Sequence, residues 1–474
     1  MNKSLVFSAA VVLGLAGCGE IPYRKDGFAA NPDCRSLYNR IEDVSDDRNS
    51  AQEKSSPCWL RAREERDDYD LLFVEFDDQG WVRDSFDLAR PAKEDFLDTF
   101  YKQLKQLYDD NRDNGLSLVV FVHGWHHNAG AEDRNVTNFR RLVRDVSVAE
   151  KLMNAGKGPR VVGIYVGWRG ESITVPYLNN ITFWDRKNTA ERVSQGSVRE
   201  LFARLDFLRD RGRTGVKFDA LSRKDEPGEG RRNVRMLTIG HSFGGLITYE
   251  ALSSEFLRAA SRSTGDDYVS RLGDLVVIVN PAFEGARYEP LMAAGQRIAR
   301  LKPNQLPVVI VATSRADWAT RGLFPLARWF STFLERTPGQ EDDAIVYAVG
   351  HNARYRTHSL APCGEGDTGC AGLCKGYPAV QELAKGGGTS TEQLRAEFDL
   401  MKGIGSKGFN AQGKEYLCGN LRLTGTDNWK PDKNPFWVVS TEKELMADHN
   451  DIFNPLFISF VRQMYFSVIS ERFK

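Results

Sequence analysis

The stretch Val234-Arg235-Met236-Leu237-Thr238-Ile239-Gly240-His241-Ser242-Phe243-Gly244 decides how this chain is read. A strand-like run, 234–239, ends at a glycine, and one hydroxyl then stands between two glycines. Apolar residues Leu246, Ile247, Ala251, Leu252 and Leu257 follow at helical spacing. The order is strand, sharp turn, helix, with Ser242 on the turn. Gly240 and Gly244 fit there because the chain segments at such a turn pack too closely for a Cβ. A helix that begins right after the serine sets backbone N–H groups beside its hydroxyl, where they favour a developing negative charge.

Working outward, four more short runs are apolar at every position and rich in β-branched residues: 118–122, 161–166, 275–279 and 308–311. Each is followed by a turn or a helical pattern. Strands apolar on both faces are buried on both faces, and strands alternating with helices make a mainly parallel sheet. The expected fold class is therefore α/β, with a central sheet covered by helices on both sides. Ligands of such sheets bind at the carboxyl ends of the strands, so the residues just past each run are the candidates. After 118–122 stands His123-Gly124-Trp125; after 275–279 stands Asn280-Pro281-Ala282-Phe283-Glu284; and Asp317 lies just beyond 308–311. Three histidines follow Asp317. His449 lies between the strand-like run 436–440 and a last helix through Ile458, Val461 and Phe466. His351 directly follows the strand-like run 344–349, and His358 reads as structural.

In these residues the chain resembles the α/β-hydrolase superfamily, and within it the lipase and esterase-like members, over roughly residues 70 to 320 and the last forty. The resemblance implies a nucleophile elbow at Ser242 and the chain order serine, acid, histidine. Ser242, Asp317 and His449 are the triad it implies, with Glu284 as the alternative acid and His351 as the alternative base. The oxyanion hole would be the backbone N–H groups of Trp125 and Phe243, with His123, Gly124, Gly240 and Gly244 shaping the two turns. The implied chemistry is cleavage of a small-molecule or lipid carboxylic ester through an acyl-enzyme, without a cofactor. Thioesters and amides pass through the same intermediate, and peptides are open for the same reason. The contrasting reading is a hydrolase-like fold kept as a surface binding or structural protein, its protein partners unknown. Trp125, Phe243, Phe283 and Trp318 near the site suggest an acyl or aromatic group in the substrate. His126 and His127 are adjacent and diverge, and no H-E-x-x-H spacing accompanies them, so they are expected to line the pocket or brace the loop rather than hold a metal.

The start of the chain is read separately. Lys3 precedes an apolar run, 5–16, of signal-peptide length, and Leu15-Ala16-Gly17-Cys18 resembles the lipobox of bacterial lipoproteins. The resemblance implies a signal peptide at 1–17 and lipid on Cys18, which anchors to a membrane without spanning it. Gly19, where an inner-membrane retention signal has Asp, favours the outer membrane. Lys plus Arg and Asp plus Glu each total 64, so no overall field favours nucleic acid as a partner. Beyond Cys18 six cysteines remain, an even number that suggests disulfides in an exported chain. Proximity favours Cys34 with Cys58 and leaves Cys363, Cys370, Cys374 and Cys418 to pair among themselves; zinc at Cys370 and Cys374 competes poorly in an oxidising compartment.

The expected organisation is a tether and cap at 18–65, with little catalytic content, and a catalytic domain at 66–474 interrupted by a Gly- and Cys-rich insertion at 363–434. Within it a hairpin is expected over 71–82 and a helix over 93–111. The long connection 166–234, with a helix at 191–208, is expected either to roof the site or to pack on the sheet.

Overall fold

The computed structural model describes residues 24, 28–82, 96–170, 183–214, 234–263, 269, 271–298, 305–326, 328, 342–364, 366–370, 373–374, 389–407, 414–430 and 434–471. The architecture is α/β. Its strands are β1 (Arg63–Glu65), β2 (Tyr69–Phe76), β3 (Leu116–Val122), β4 (Arg160–Trp168), β5 (Val234–His241), β6 (Leu275–Val279), β7 (Val309–Ser314), β8 (His358–Pro362), β9 (Lys414–Leu417), β10 (Leu421–Gly425) and β11 (Phe436–Thr441). They form one 11-stranded sheet in the order β1-β2-β4-β3-β5-β6-β7-β11-β8-β10-β9. From β2 to β8 every pairing is parallel. The antiparallel strands are at the edges, β1 on one side and β10 with β9 on the other.

The helices are α1 (Pro32–Arg40), α2 (Ala51–Lys54), α3 (Phe96–Asp110), α4 (Arg134–Met153), α5 (Phe183–Gln195), α6 (Val198–Thr214), α7 (Phe243–Arg262), α8 (Gly285–Arg297), α9 (Asp342–Val346), α10 (Thr391–Lys407) and α11 (Pro455–Glu471). Alternate side chains of each central strand feed two cores. Leu72, Val74, Leu118 and Val120 join α3, α5, α6, α7 and α8 on one face, while Leu71, Phe73, Val119 and Phe121 join α4, α10 and α11 on the other. That two-sided burial is why the strands read as unbroken apolar runs. From β3 the chain passes to β4 on one side and returns past β3 to β5 on the other, which opens a crevice at their carboxyl ends. No helix among the described residues is long and apolar enough to cross a membrane.

Four expectations need correction. The hairpin over 71–82 shrinks to a single Phe76–Val82 bridge past the turn, because β2 already has β1 and β4 as neighbours. The run 344–349 starts in helix α9 and ends in a 3-10 turn, Val349–His351, with Ala348 extended and bridged to Glu284 between them; Ala344, Ala348 and Val349 are buried, while Ile345 and Val346 are only half-buried. The helix at 191–208 is two helices, α5 and α6, broken where Gly196 touches the backbone of Gly80 and Ser197 N–H donates to the Gly80 carbonyl (2.9 Å). Their residues Ala190, Val193, Leu201, Phe202 and Leu205 are core, so these helices pack on the sheet. Finally, the tether and cap expected at 18–65 does not end at 65: α1 is capped by Asn31, α2 carries a full Ser50–Glu53 capping box, and β1 joins the sheet across the expected boundary.

The insertion 363–434 likewise contributes β9 and β10 to the sheet edge, and α10 packs against α11 through Glu397, which accepts from Ser459 Oγ (2.7 Å) and Arg462 Nε (3.0 Å). The sulfurs pair Cys34 with Cys58, Cys363 with Cys370 and Cys374 with Cys418. Cys18 and the signal-peptide stretch lie outside the described residues.

Candidate active site

Strand β5 delivers the chain into Ser242, which has φ +55° and ψ −119° and opens α7. A non-glycine residue in that region is strained and persists only when its surroundings hold it. They do so through the backbone: Ser242 N–H donates to the Val279 carbonyl (3.0 Å), and the Ser242 carbonyl accepts from Leu246 (3.1 Å) and Ala282 (3.3 Å). A Cβ on Gly244 would collide with the carbonyl oxygens of Val122 and His123, so only glycine lets α7 come this close to β3.

His449 arrives on the loop after β11. Its Nε2 lies 2.8 Å from Ser242 Oγ, and its Nδ1 lies 2.8 Å from Asp317 Oδ2. Asp317, on the loop after β7, is fully buried. Thr320 N–H donates to its Oδ1 (3.1 Å), and the Thr320 hydroxyl donates to the same Oδ2 that meets His449. Burial pushes the Asp317 carboxyl up, but the His449 ring and the Thr320 donors outweigh it and hold the group below the usual carboxylate range. The backbone of the His449 loop is pinned as well. Its carbonyl accepts from His241 Nε2 (2.9 Å) and from Asn280 Nδ2 (3.0 Å). Asn280 sits at φ +44°, and its Oδ1 accepts from Ser314 N–H (2.9 Å), so one amide ties the ends of β6 and β7 to the histidine loop.

The loop after β3 faces the serine. A Cβ on Gly124 would lie 2.8 Å from both Ser242 Cβ and His241 Nδ1, so only glycine lets this loop lie directly against the side chains of the elbow. Trp168 N–H donates to His123 Nε2 (3.1 Å), which places the His123 proton on Nδ1, where it reaches the Gly124 carbonyl (2.9 Å). Burial lowers the His123 ring to about 4 and keeps it neutral. Trp125 stacks with His126 (centroids 4.0 Å apart, φ +66° at His126), and His127 Nδ1 meets Asp133 (3.1 Å) and braces the loop.

The structure thus brings Ser242, Asp317, His449, Gly124, Trp125, Phe243 and the glycines of the elbow together and leaves the two alternatives apart. Glu284 is buried in an ion-pair cluster with Lys187 (2.8 Å), Arg287 (2.9 Å) and Arg328 (3.0 Å). Burial raises its carboxyl, but the three cations prevail and hold it at about 2; its contacts are structural. His351 reaches Thr320 Oγ1 (2.9 Å) instead of the serine, one hydrogen bond behind the acid. His358 packs between Trp429 and Trp437 as a core residue.

Sequence reasoning missed His241, Asn280 and Thr320. His241 was visible inside the elbow motif, whereas the other two act through loop geometry that no spacing announces. Among the described residues no group of three or more His, Cys, Asp or Glu is placed to hold a metal. Comparison with protein-family models, with curated proteins and with solved structures finds no match.

Proposed function

We propose that this chain is a serine hydrolase of the α/β-hydrolase type that cleaves carboxylic esters through an acyl-enzyme, exported and held by lipid on Cys18 at a bacterial envelope membrane, the outer membrane being favoured. One observation carries the reading: a strained serine on a strand-to-helix turn shares a histidine, at 2.8 Å on each side, with a fully buried carboxylate. His449 Nε2 takes the Ser242 proton as Oγ attacks the ester carbonyl, and Asp317 holds the Nδ1 proton and supports the imidazolium charge. Backbone N–H groups of Phe243 and Trp125 hold the oxyanion, and the imidazolium returns its proton to the departing alcohol. Water then repeats the attack on the acyl-enzyme, with His449 as base, and releases the acid. No cofactor enters any step.

Turnover of p-nitrophenyl esters from acetyl to long acyl chains tests this. The parent is expected to turn over, and Ser242→Ala and His449→Ala to lose about 10⁴-fold or more in kcat/KM. A folded parent that neither turns over nor accepts a fluorophosphonate label overturns the proposal in favour of a binding protein.

A further inference from the structure

Six residues past Cys18 the chain is already locked into the body. The Arg24 backbone N–H donates to Glu75 Oε2 (2.9 Å), its Nε to the Ala129 carbonyl (3.0 Å), and its guanidinium to Glu64 (2.9 Å) and the Arg61 carbonyl (3.2 Å). The same guanidinium lies 3.6 Å over the Phe73 ring. Phe28 packs against Phe96 (5.0 Å) and Phe100 (5.7 Å), in the first turns of α3. Glu75, Ala129 and the start of α3 all lie at the carboxyl end of β2 and β3, the end that carries Ser242. Ala129 belongs to the same loop as Gly124 and Trp125. Six residue steps span at most about 20 Å, which limits how far a lipid on Cys18 could hold Arg24 from a membrane.

A second observation comes from the surface. Seven large apolar side chains of the described residues are strongly exposed, and five of them stand at that same end: Trp81 past β2, Trp318 (68% exposed), Leu323 (52%) and Leu326 (56%) past β7, and Tyr347 beside the loop after β6. Exposed Arg321, and Arg315 in an ion pair with Glu442, flank the tryptophan. β2 and β7 are five strand spacings apart, about 24 Å, with β5 and its serine between them. Aromatic rings with neighbouring arginines fit the interface of a bilayer whose lipids carry negative charge.

We infer that the carboxyl end of the sheet rests on the membrane that holds the Cys18 lipid, with Trp81 on one flank and Trp318, Leu323 and Leu326 on the other. The substrates are then long-chain acyl esters lying in that same leaflet. The substrate part of the inference rests on the hydrolase reading above, and the orientation on the lipid anchor proposed there.

The test uses the full lipidated chain in vesicles of phosphatidylethanolamine and phosphatidylglycerol, with and without brominated acyl chains. Bromine is expected to quench tryptophan fluorescence, Trp81→Phe and Trp318→Phe each removing part of the quenching. Leu323→Glu with Leu326→Glu is expected to slow cleavage of a vesicle-embedded fluorogenic acyl ester by about tenfold, while p-nitrophenyl acetate in solution is cleaved at the parental rate, which also shows that the variant folds. Absence of quenching, or an embedded ester cleaved at the parental rate by that variant, overturns the inference. A parent that is quenched yet cleaves no ester overturns the hydrolase reading and leaves the orientation standing.

Discussion

In the proposed mechanism Thr320 holds the acid that holds the base. Its single hydroxyl proton goes to Asp317 Oδ2, so the His351 Nε2 beside it must be the donor of their 2.9 Å contact. Burial lowers His351 to about 4 and keeps it a neutral ring. The donor order therefore runs His351, Thr320, Asp317, with His449 donating to the acid from the other side. Thr320→Val keeps the shape and removes a donor to a buried carboxylate, a bond worth about 1.5–3 kcal/mol. We expect kcat to fall about 10- to 100-fold with little change in KM. His351→Ala acts one bond further out and is expected to cost less than about tenfold. A loss as complete as that of His449→Ala would put His351 in the triad. Ser242, Asp317 and His449 were legible because each follows an apolar run at a strand's carboxyl end. Thr320 was not, since its role is set by how one turn folds back on Asp317, and Asn280 was hidden for the same reason.

At the scale of elements, the sheet centre was legible and its edges were not. Strands β3 to β7 bury both faces, so their sequences carry the signal whole. β1, β9 and β10 are short and pair antiparallel; β1 is Arg-Glu-Glu with no apolar residue, and β9 and β10 mix charged with apolar ones, which hides them in stretches that read as tether and insertion. α9 misled for the opposite reason: the alternation of Ala344, Ile345 and Val346 is apolar throughout, and only tertiary packing selects its helical face. Under the proposed mechanism the elbow is the element on which activity would depend most. Gly244→Ala would drive a Cβ against the backbone carbonyls of Val122, the last residue of β3, and His123 just past it, which cannot swing aside as a flexible side chain can. We expect α7 to shift off the strand, ester turnover to drop about 100-fold or more, and thermal unfolding to come several degrees lower. Gly403→Ala on α10 is the control, because nothing lies within 4 Å of its added methyl. Helix propensity then predicts unchanged turnover and a gain of up to about 1 kcal/mol in unfolding free energy.

For the whole molecule, buried neutral histidines make stability depend on pH in a definite sense. Burial lowers His123 and His351 to about 4, His358 to about 3, and His241 well below its ordinary value. An unfolded chain titrates its histidines near 6.5. Between about 6.5 and 4 the unfolded state therefore binds protons that the native state refuses, and the unfolding free energy rises with pH. The contribution is fully present above 6.5 and is lost as pH falls toward 4. Each ring adds up to about 1.4 kcal/mol per pH unit in that window. The lowered carboxylates Asp317 and Glu284 act in a different range. Their contribution is present above the unfolded carboxylate value of about 4 and is lost only as pH falls below it, so the two effects separate on the pH axis. His358 isolates the first effect, because it touches none of Ser242, Asp317 and His449: its Nδ1 meets Thr357 Oγ1 (2.9 Å) and its ring lies 4.1 Å from that of Trp437. Denaturant unfolding from pH 7 to pH 4.5 is expected to show a steep fall in stability for the parent. His358→Gln, which has no proton to take up, is expected to lower stability at pH 7 and to remove about one proton from the slope. A slope unchanged in this variant would mean that His358 titrates alike in the folded and unfolded chains, and that its ring is not held neutral between the two tryptophans.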